Sequence, residues 1–347
     1  MAGTNEKFGE EQELFEHHRF VVDKGQGALR IDKYLMSRLE NSSRNKIQNA
    51  TNAGSVLVNN FPVRSSYKVK PGDMITIVLT HPVREFEMIA EDIPLDVLYE
   101  DDDLIVVDKA AGMVVHPAYA NYTGTLVNAL LFHFKKAGKG YDEKTGPYLV
   151  HRIDKNTSGV LLIAKSELAQ TRLGKQFYDH SIKRKYNALV WGDLKEDTGT
   201  ITGNIGRSQK DRRVYMVYDG EGEYGKHAVT HYRMIERLGY TSFIECQLET
   251  GRTHQIRVHM RYLGHPLFND ETYGGSQILK GTTFTKYKQF VNNCFKVCPR
   301  QALHAKSLGF IHPITEKEMY FESPLPEDMT KVLEKWRNYA AHKMVGE

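Results

Sequence analysis

The residues best suited to chemistry lie in one polar run, His151-Arg152-Ile153-Asp154-Lys155-Asn156-Thr157-Ser158-Gly159, which leads directly into the apolar Val160-Leu161-Leu162-Ile163. A polar loop backed by a buried strand is held by a rigid element, which a reactive side chain requires. Asp154 stands between Arg152 and Lys155. Cations turned toward it would support an ionised carboxylate. An aspartate in such a turn can equally spend its oxygens on backbone N–H groups, so the spacing leaves both readings open.

A second segment, Gly251-Arg252-Thr253-His254-Gln255-Ile256-Arg257-Val258-His259, alternates apolar and polar residues. Read at strand period, His254, Ile256 and Val258 share one face, and Gln255, Arg257 and His259 the other. With the apolar face buried, Arg257 enters a cleft, where its planar guanidinium can make a two-point pair with a carboxylate. A surface strand with a solvated arginine fits the same spacing. Lys183-Arg184-Lys185-Tyr186 puts an aromatic after a positive run, and Arg207, Lys210, Arg212 and Arg213 form another basic stretch. Phosphate neutralisation beside base stacking suits RNA, although an aromatic opening a strand is also ordinary core material.

Other chemistries lack their handles. His254, His259 and His265, and Cys294 and Cys298 with His304 and His312, have no zinc-site spacing. There is no G-x-x-x-x-G-K-[ST] loop and no G-x-G-x-x-G segment, so nucleotide hydrolysis and dinucleotide redox chemistry are not expected.

The elements that must position these residues fall into five stretches. Residues 1–19 read as an acidic, flexible tail, with Glu6, Glu10, Glu11, Glu13 and Glu16 among few apolar residues. Residues 20–80 form a small module. Leu29, Ile31, Tyr34, Leu35 and Leu39 mark a short helix, and Ser43 caps a second that carries Ile47 and ends at Gly54. Strands follow at Val56-Leu57-Val58 and at Ile75, Ile77 and Leu79, with turns at Asn59-Asn60 and Pro71-Gly72-Asp73. Its basic residues, among them Arg30, Lys33, Arg44, Lys46 and Lys68, outnumber the acidic ones, which suits phosphate contact or simply a solvated surface.

Residues 81–92 read as a linker and 93–330 as the larger domain, followed by a C-terminal helix and tail at 331–347. The larger domain carries strand runs at Val97 to Tyr99, Leu104 to Val107, Val160 to Ile163, Tyr186 to Val190, His227 to Ile235, Thr241 to Leu248 and Ile256 to Met260. Helices are expected at Gly124 to Phe134, Ser166 to Asp179 and Met329 to Ala341. The irregular order predicts an α+β fold on a mostly antiparallel mixed sheet, not a regular βαβ repeat.

At 347 residues the chain can bury a sizeable core, and its formal charge of +4 with pI near 8.7 only mildly favours a polyanionic partner. Three cysteines, an odd count, suit a reducing interior. The N-terminus has no basic start followed by an apolar run, and no apolar stretch approaches about twenty residues, so a cytoplasmic protein without a membrane span is expected.

Taken together, the His151 to Gly159 run, Lys185-Tyr186, the Gly251 to His259 segment and Arg300-Gln301-Ala302-Leu303-His304-Ala305 resemble the RluA/RluD family of ribosomal RNA pseudouridine synthases. Ile93-Pro94-Leu95-Asp96 through Val115-His116-Pro117, and His265-Pro266 through Tyr273-Gly274, fit the same family, closest to its RluD type. The 20–80 module resembles an S4 RNA-binding domain. The resemblance implies a cytoplasmic bacterial isomerase that turns uridine into pseudouridine in large-subunit ribosomal RNA, acting on free RNA or a pre-ribosomal particle; with no separate pairing element evident in the sequence, a monomer is expected. It implies Asp154, Tyr186 and Arg257 as catalytic residues: Asp154 attacks or cleaves, Arg257 orients it, and Tyr186 stacks on the base. Arg152 would fill the place of the flipped nucleotide. Leu303 would wall the base pocket, with His151, Lys155, Arg252 and His254 also facing substrate. No cofactor and no metal are implied.

Two positions depart from the family pattern. Ile153 stands for a more usual leucine, and Asn269 for a glycine before Asp270, which predicts a local change of turn. Ser276 to Cys298 reads as a solvated insertion carrying Lys280, Lys286 and Lys288. Action on another ribosomal site or on transfer RNA, or a catalytically silent assembly role, are the alternative readings.

Overall fold

The computed structural model describes residues 15–39, 44–79, 89–117, 121–138, 147–211, 213–218 and 224–345. The chain divides into two compact units, Met1–Glu87 and Met88–Glu347.

The first unit comprises β1 (Phe15–Val21), α1 (Ile31–Met36), α2 (Arg44–Asn52), β2 (Val56–Val58), β3 (Phe61–Pro62) and β4 (Met74–Leu79), with sheet order β1-β4-β2-β3. Ile31, Tyr34, Leu35 and Ile47 bury one stripe of the two helices against Val56, Val58, Ile75 and Ile77. Asn59 and Asn60 both adopt positive φ, 50° and 71°, between β2 and β3, and asparagine tolerates this backbone better than most side chains. The expected acidic tail needs correcting: Phe15 to Arg19 belong to β1, which pairs antiparallel with β4. Backbone pairing with a strand far along the chain overrides the local composition. Glu6, Glu10, Glu11 and Glu13, and the expected Ser43 cap, lie outside the described residues.

The second unit comprises β5 (Val97–Glu100), β6 (Leu104–Lys109), α3 (Leu126–Lys136), β7 (Tyr148–Leu149), β8 (Ser158–Ala164), α4 (Glu167–Tyr178), β9 (Lys183–Trp191), β10 (Thr198–Arg207), β11 (Tyr215–Tyr218), β12 (Lys226–Arg237) and β13 (Thr241–Leu248). α5 (Gln255–Tyr262), α6 (Thr285–Val297), β14 (Leu303–Ile311), β15 (Glu318–Glu322) and α7 (Glu327–Val345) complete it. One sheet runs β11-β10-β12-β13-β9-β14-β8-β6-β5, with β15 on β14 and β7 on β8. Among the described residues, every pairing in this sheet is antiparallel except β14 with β8. The α+β fold on a mostly antiparallel sheet is therefore the one the sequence predicts.

β8 shows why its apolar run is unbroken. Leu161 and Ile163 enter the core that holds Leu126, Leu130 and Ile256, while Val160, Leu162 and Ala164 enter the opposite one, under Ala169 and Leu173. Both faces of the strand are covered, so alternation gives way to continuous hydrophobicity. At its start Gly159 has φ +115°, and a Cβ there would fall 2.2 Å from the Ala305 carbonyl oxygen. Only glycine lets β8 and β14 approach beside the Asp154 loop.

Three further expectations change. Part of the predicted linker is docked: Asn128 donates to the Ile89 carbonyl at 2.7 Å, and the Gly124 N–H donates to the Glu91 carboxylate at 3.0 Å. Residues 81–88 lie outside the described residues. The 276–298 stretch is not a solvated insertion. α6 inserts Tyr287, Val291 and Cys294 into an aromatic core with Trp191 and Trp336, leaving Lys280, Lys286 and Lys288 exposed. That i, i+4, i+7 spacing is an amphipathic helix whose partners come from distant segments. The Ile256 to Met260 strand is the helix α5. Among the described residues, no helix is long and apolar enough to cross a membrane.

Candidate active site

Asp154 sits in the turn between β7 and β8, where the Thr157 N–H donates back to its carbonyl at 3.0 Å. The turn is clamped from outside. Lys109, wholly buried at the end of β6, donates to the carbonyls of Ala110, Met113 and Lys155 at 2.7, 2.8 and 3.1 Å. Arg300 donates to the Asn156 carbonyl at 3.0 Å while its other edge grips Asp328. Burial and the Arg300 charge push the Lys109 ammonium down to about 7, against the pull of Asp154 and Asp108.

The Asp154 carboxylate accepts from Arg257 Nη1 at 3.0 Å. Arg257 is itself seated by Asp270, accepting from Nε at 2.7 Å and from Nη2 at 2.9 Å. Burial alone would lower the Arg257 pKa, but bonding to Asp270 and the charges of Asp270 and Asp154 raise it instead. The guanidinium also lies 4.9 Å from the centre of the Tyr273 ring.

The expected strand faces around Arg257 are replaced by helical ones. At about 100° per residue, Arg257 and Arg261 share a side and both approach Tyr273, while Gln255 and His259 both reach Thr230. Ile256, Val258 and Met260 alternate as a strand would, yet all three are buried because tertiary structure surrounds the helix. His254 precedes the helix with φ 56°, a left-handed conformation that is uncommon outside glycine but that histidine adopts more readily than most residues. Its Nδ1 lies 2.8 Å from the Tyr273 hydroxyl and its Nε2 3.8 Å from Asp154. Burial lowers its pKa, opposed by Asp154.

A cleft of about 630 Å³ opens over the carboxylate, lined by Arg152, Asp154, Arg184, Tyr186, Arg257 and Leu303. Tyr186 and Leu303 are buried, on the neighbouring strands β9 and β14, and burial raises the Tyr186 phenol above its ordinary value. The cleft thus combines an ion-paired carboxylate, a neutral aromatic and an aliphatic wall, which suits a flat uncharged ring next to a sugar. A second cleft of about 770 Å³ meets it at Arg152 and Asp154.

Of the predicted substrate residues, Arg152 is exposed and lines both clefts, and Arg252 and His254 line the first. Lys155 is exposed and lines only the second. His151 lines the cleft with its ring nitrogen committed, since Nε2 accepts the Leu162 N–H at 3.0 Å and the ring stacks on Phe177. In the small unit, Lys33, Lys46 and Lys68 are exposed. Arg30 and Arg44 instead converge on the buried Asp32 at 3.0 and 3.1 Å. Burial would raise the Asp32 pKa, but bonds from Arg30, Gln48 and Arg44 hold it well below the usual range.

Asp270 and Tyr273 escaped sequence reasoning. The available signal was an acidic residue one position beyond Asn269, which follows the buried run Leu267-Phe268, a place that demands a cationic partner. For metals, among the described residues Asp101, Asp103 and His312 bring ligand atoms within 4.8 Å of one another. Asp101 already accepts from Tyr99, His312 and two backbone N–H groups, which accounts for that cluster without an ion.

Residues 103–262 match a family model described as RNA pseudouridylate synthase, and residues 29–75 one described as S4 domain. A Chlorobaculum parvum protein described as an uncharacterized RNA pseudouridine synthase is 49% identical, covering 91% of this chain and 96% of that protein. Ribosomal large subunit pseudouridine synthase D of Zymomonas mobilis is 43% identical, covering 86% and 91%. The solved structure of human RNA pseudouridylate synthase domain containing 4 shares the fold, with a TM-score of 0.53 at 22% identity over 70% of this chain and 93% of that one.

Proposed function

Because this chain belongs to the RNA pseudouridine synthase family, and is therefore an isomerase that makes pseudouridine, we propose that it acts on large-subunit ribosomal RNA with Asp154 as the reactive carboxylate. The observation that carries the second part is the Asp154 to Arg257 contact at 3.0 Å, on the wall of a cleft that also holds Tyr186 and Leu303. The first part is supported by relatives from Zymomonas mobilis, Nitrosomonas europaea and Neisseria meningitidis, at 43, 39 and 40% identity, each named ribosomal large subunit pseudouridine synthase D.

Asp154, held by Arg257, opens the bond between uridine N1 and C1′, either by attack on the sugar or by promoting a glycal-like route. The detached uracil stays between Tyr186 and Leu303, turns, and bonds to C1′ through C5. The C5 proton leaves with assistance from Tyr186, and N1 gains a proton, so atoms and charge balance without a redox partner. Enclosure matters because a free base would otherwise diffuse away. Arg152, exposed at the mouth, takes the space that the flipped nucleotide vacates. Lys33, Lys46 and Lys68 would contribute phosphate contacts that carry little base information, while Arg30 and Arg44 are engaged by Asp32. On this reading the protein works as a cytoplasmic monomer, on free ribosomal RNA or a pre-ribosomal particle.

Mapping pseudouridines after deletion of the gene tests the substrate. One or a few positions in large-subunit RNA should be lost, then restored by the wild type and not by Asp154→Asn. An intact ribosomal map with a missing transfer-RNA position would overturn the ribosomal assignment.

A further inference from the structure

Among the described residues, Arg184 is a buried cation with no carboxylate partner. It precedes Tyr186 by two residues on β9, so the two side chains leave the same face of the strand, and both line the cleft over Asp154. Only 7% of it is exposed. Among the described residues its Nε meets no acceptor, Nη2 donates to the Glu249 carbonyl at 3.3 Å, and the guanidinium lies 5.4 Å from the centre of the Phe177 ring. Burial lowers its pKa, and what opposes that is the Tyr186 phenol, not a carboxylate.

Two other buried arginines of this unit are treated differently. Arg257 holds both oxygens of Asp270, and Arg300 both oxygens of Asp328. A desolvated cation without a partner is strongly unfavourable, which makes the open fork of Arg184 a feature in need of a ligand. Gly251 supports the same conclusion. A Cβ at that position would fall 2.7 Å from Arg184 Nη1, so glycine there leaves the guanidinium its space in the cleft wall.

We infer that Arg184 is a phosphate receptor: a backbone phosphate adjoining the target uridine seats against its guanidinium in the cleft, supplying the anion that Asp270 and Asp328 supply to the other two arginines. The inference rests on the RNA-substrate reading above. Uracil and ribose are uncharged, so phosphate is the anion such a substrate brings, and the planar fork can bind two of its oxygens. Seating that phosphate would fix how deeply the flipped nucleotide enters, and so the placement of C1′ against Asp154.

The test uses whichever RNA the wild type modifies, with a neutral methylphosphonate at the linkage 5′ or 3′ to the target uridine. At one linkage the wild type should show a KM raised about tenfold to a thousandfold, the range of a close buried charge pair. Arg184→Met should show a similar rise on natural RNA and no further loss with that methylphosphonate. Insensitivity of the wild type at both linkages would overturn the receptor without involving any variant. So would losses from variant and methylphosphonate that multiply. Arg184→Met should melt no lower than the wild type, because a buried unpaired charge has been removed. If inorganic phosphate raises the wild-type melting temperature while neither methylphosphonate matters, the site takes a free anion and the RNA-phosphate assignment fails. A KM that stays fixed while the alkaline limb of kcat shifts would instead assign Arg184 to Tyr186. A wrong ribosomal substrate shows separately, as no turnover on ribosomal fragments alongside turnover on another RNA.

Discussion

Asp270 grips Arg257 through Nε at 2.7 Å and Nη2 at 2.9 Å, leaving Nη1 for Asp154 at 3.0 Å. The carboxylate assigned to the chemistry therefore receives one bond from a cation whose charge is already shared. It is held in place while an oxygen remains for the sugar. Asp270 is wholly buried, so its contribution comes through Arg257 and not through substrate.

Replacing Asp270 with Asn keeps the shape and removes the charge that orients the guanidinium. Turnover should fall about a hundredfold from misplacement of Arg257. Stability should drop by about 3–5 kcal/mol, because a buried cation loses its partner. Single-turnover rates and denaturant titration check both. Wild-type turnover in Asp270→Asn would remove the residue from the account.

Tyr186 can be divided into ring and hydroxyl. Tyr186→Phe retains the stacking surface, so RNA affinity should hold, while turnover falls about 10²–10⁴-fold if the phenol helps move the C5 proton. Tyr186→Leu should weaken affinity as well. An unchanged rate in Tyr186→Phe would restrict the residue to stacking.

Burial lowers the pKa of His259 to about 4, and burial with the Arg300 charge does the same for His304. The unfolded chain binds protons on these histidines at higher pH than the native protein does. Their contribution is thus fully present above about pH 6.5 and is lost as pH falls toward 4, by up to about 3 kcal/mol each. Unfolding free energies at pH 7 and pH 4.5 should show this loss, and His259→Gln should reduce it. A flat profile would contradict neutral buried rings.

Gly159→Ala places a methyl group against the Ala305 backbone at a positive φ. We expect a loss of several kcal/mol, more than about 4, read as a fall in unfolding midpoint. Val160→Ala on the same strand should cost less, about 1–3 kcal/mol. A thermally neutral Gly159→Ala would mean that the β8 and β14 contact can relax.

Legibility followed locality. β8 was readable because covering both faces forces an unbroken apolar run, and α4 because Ser166 accepts from the Ala169 N–H as a capping residue should. α5 was not, since Ile256, Val258 and Met260 mimic strand alternation and only the surrounding core selects the helix. β1 depends on pairing with β4, and α6 on Trp191 and Trp336, none of which is visible in a local window. In the site, Asp154, Tyr186 and Arg257 stood out as polar or aromatic residues beside apolar runs and through family resemblance. Asp270 acquires meaning only from what faces it across the fold, and Arg184, legible in sequence only as part of a basic run, stands apart from its neighbours only through its burial without a carboxylate.

The most direct measurement compares wild type and Asp154→Asn on one RNA, following C5 tritium release from uridine in single-turnover conditions together with RNA affinity. The account predicts similar affinity and no detectable release from the substituted protein. Release from Asp154→Asn at a rate approaching that of the wild type would contradict it, because the bond to the base would then be opened by another group.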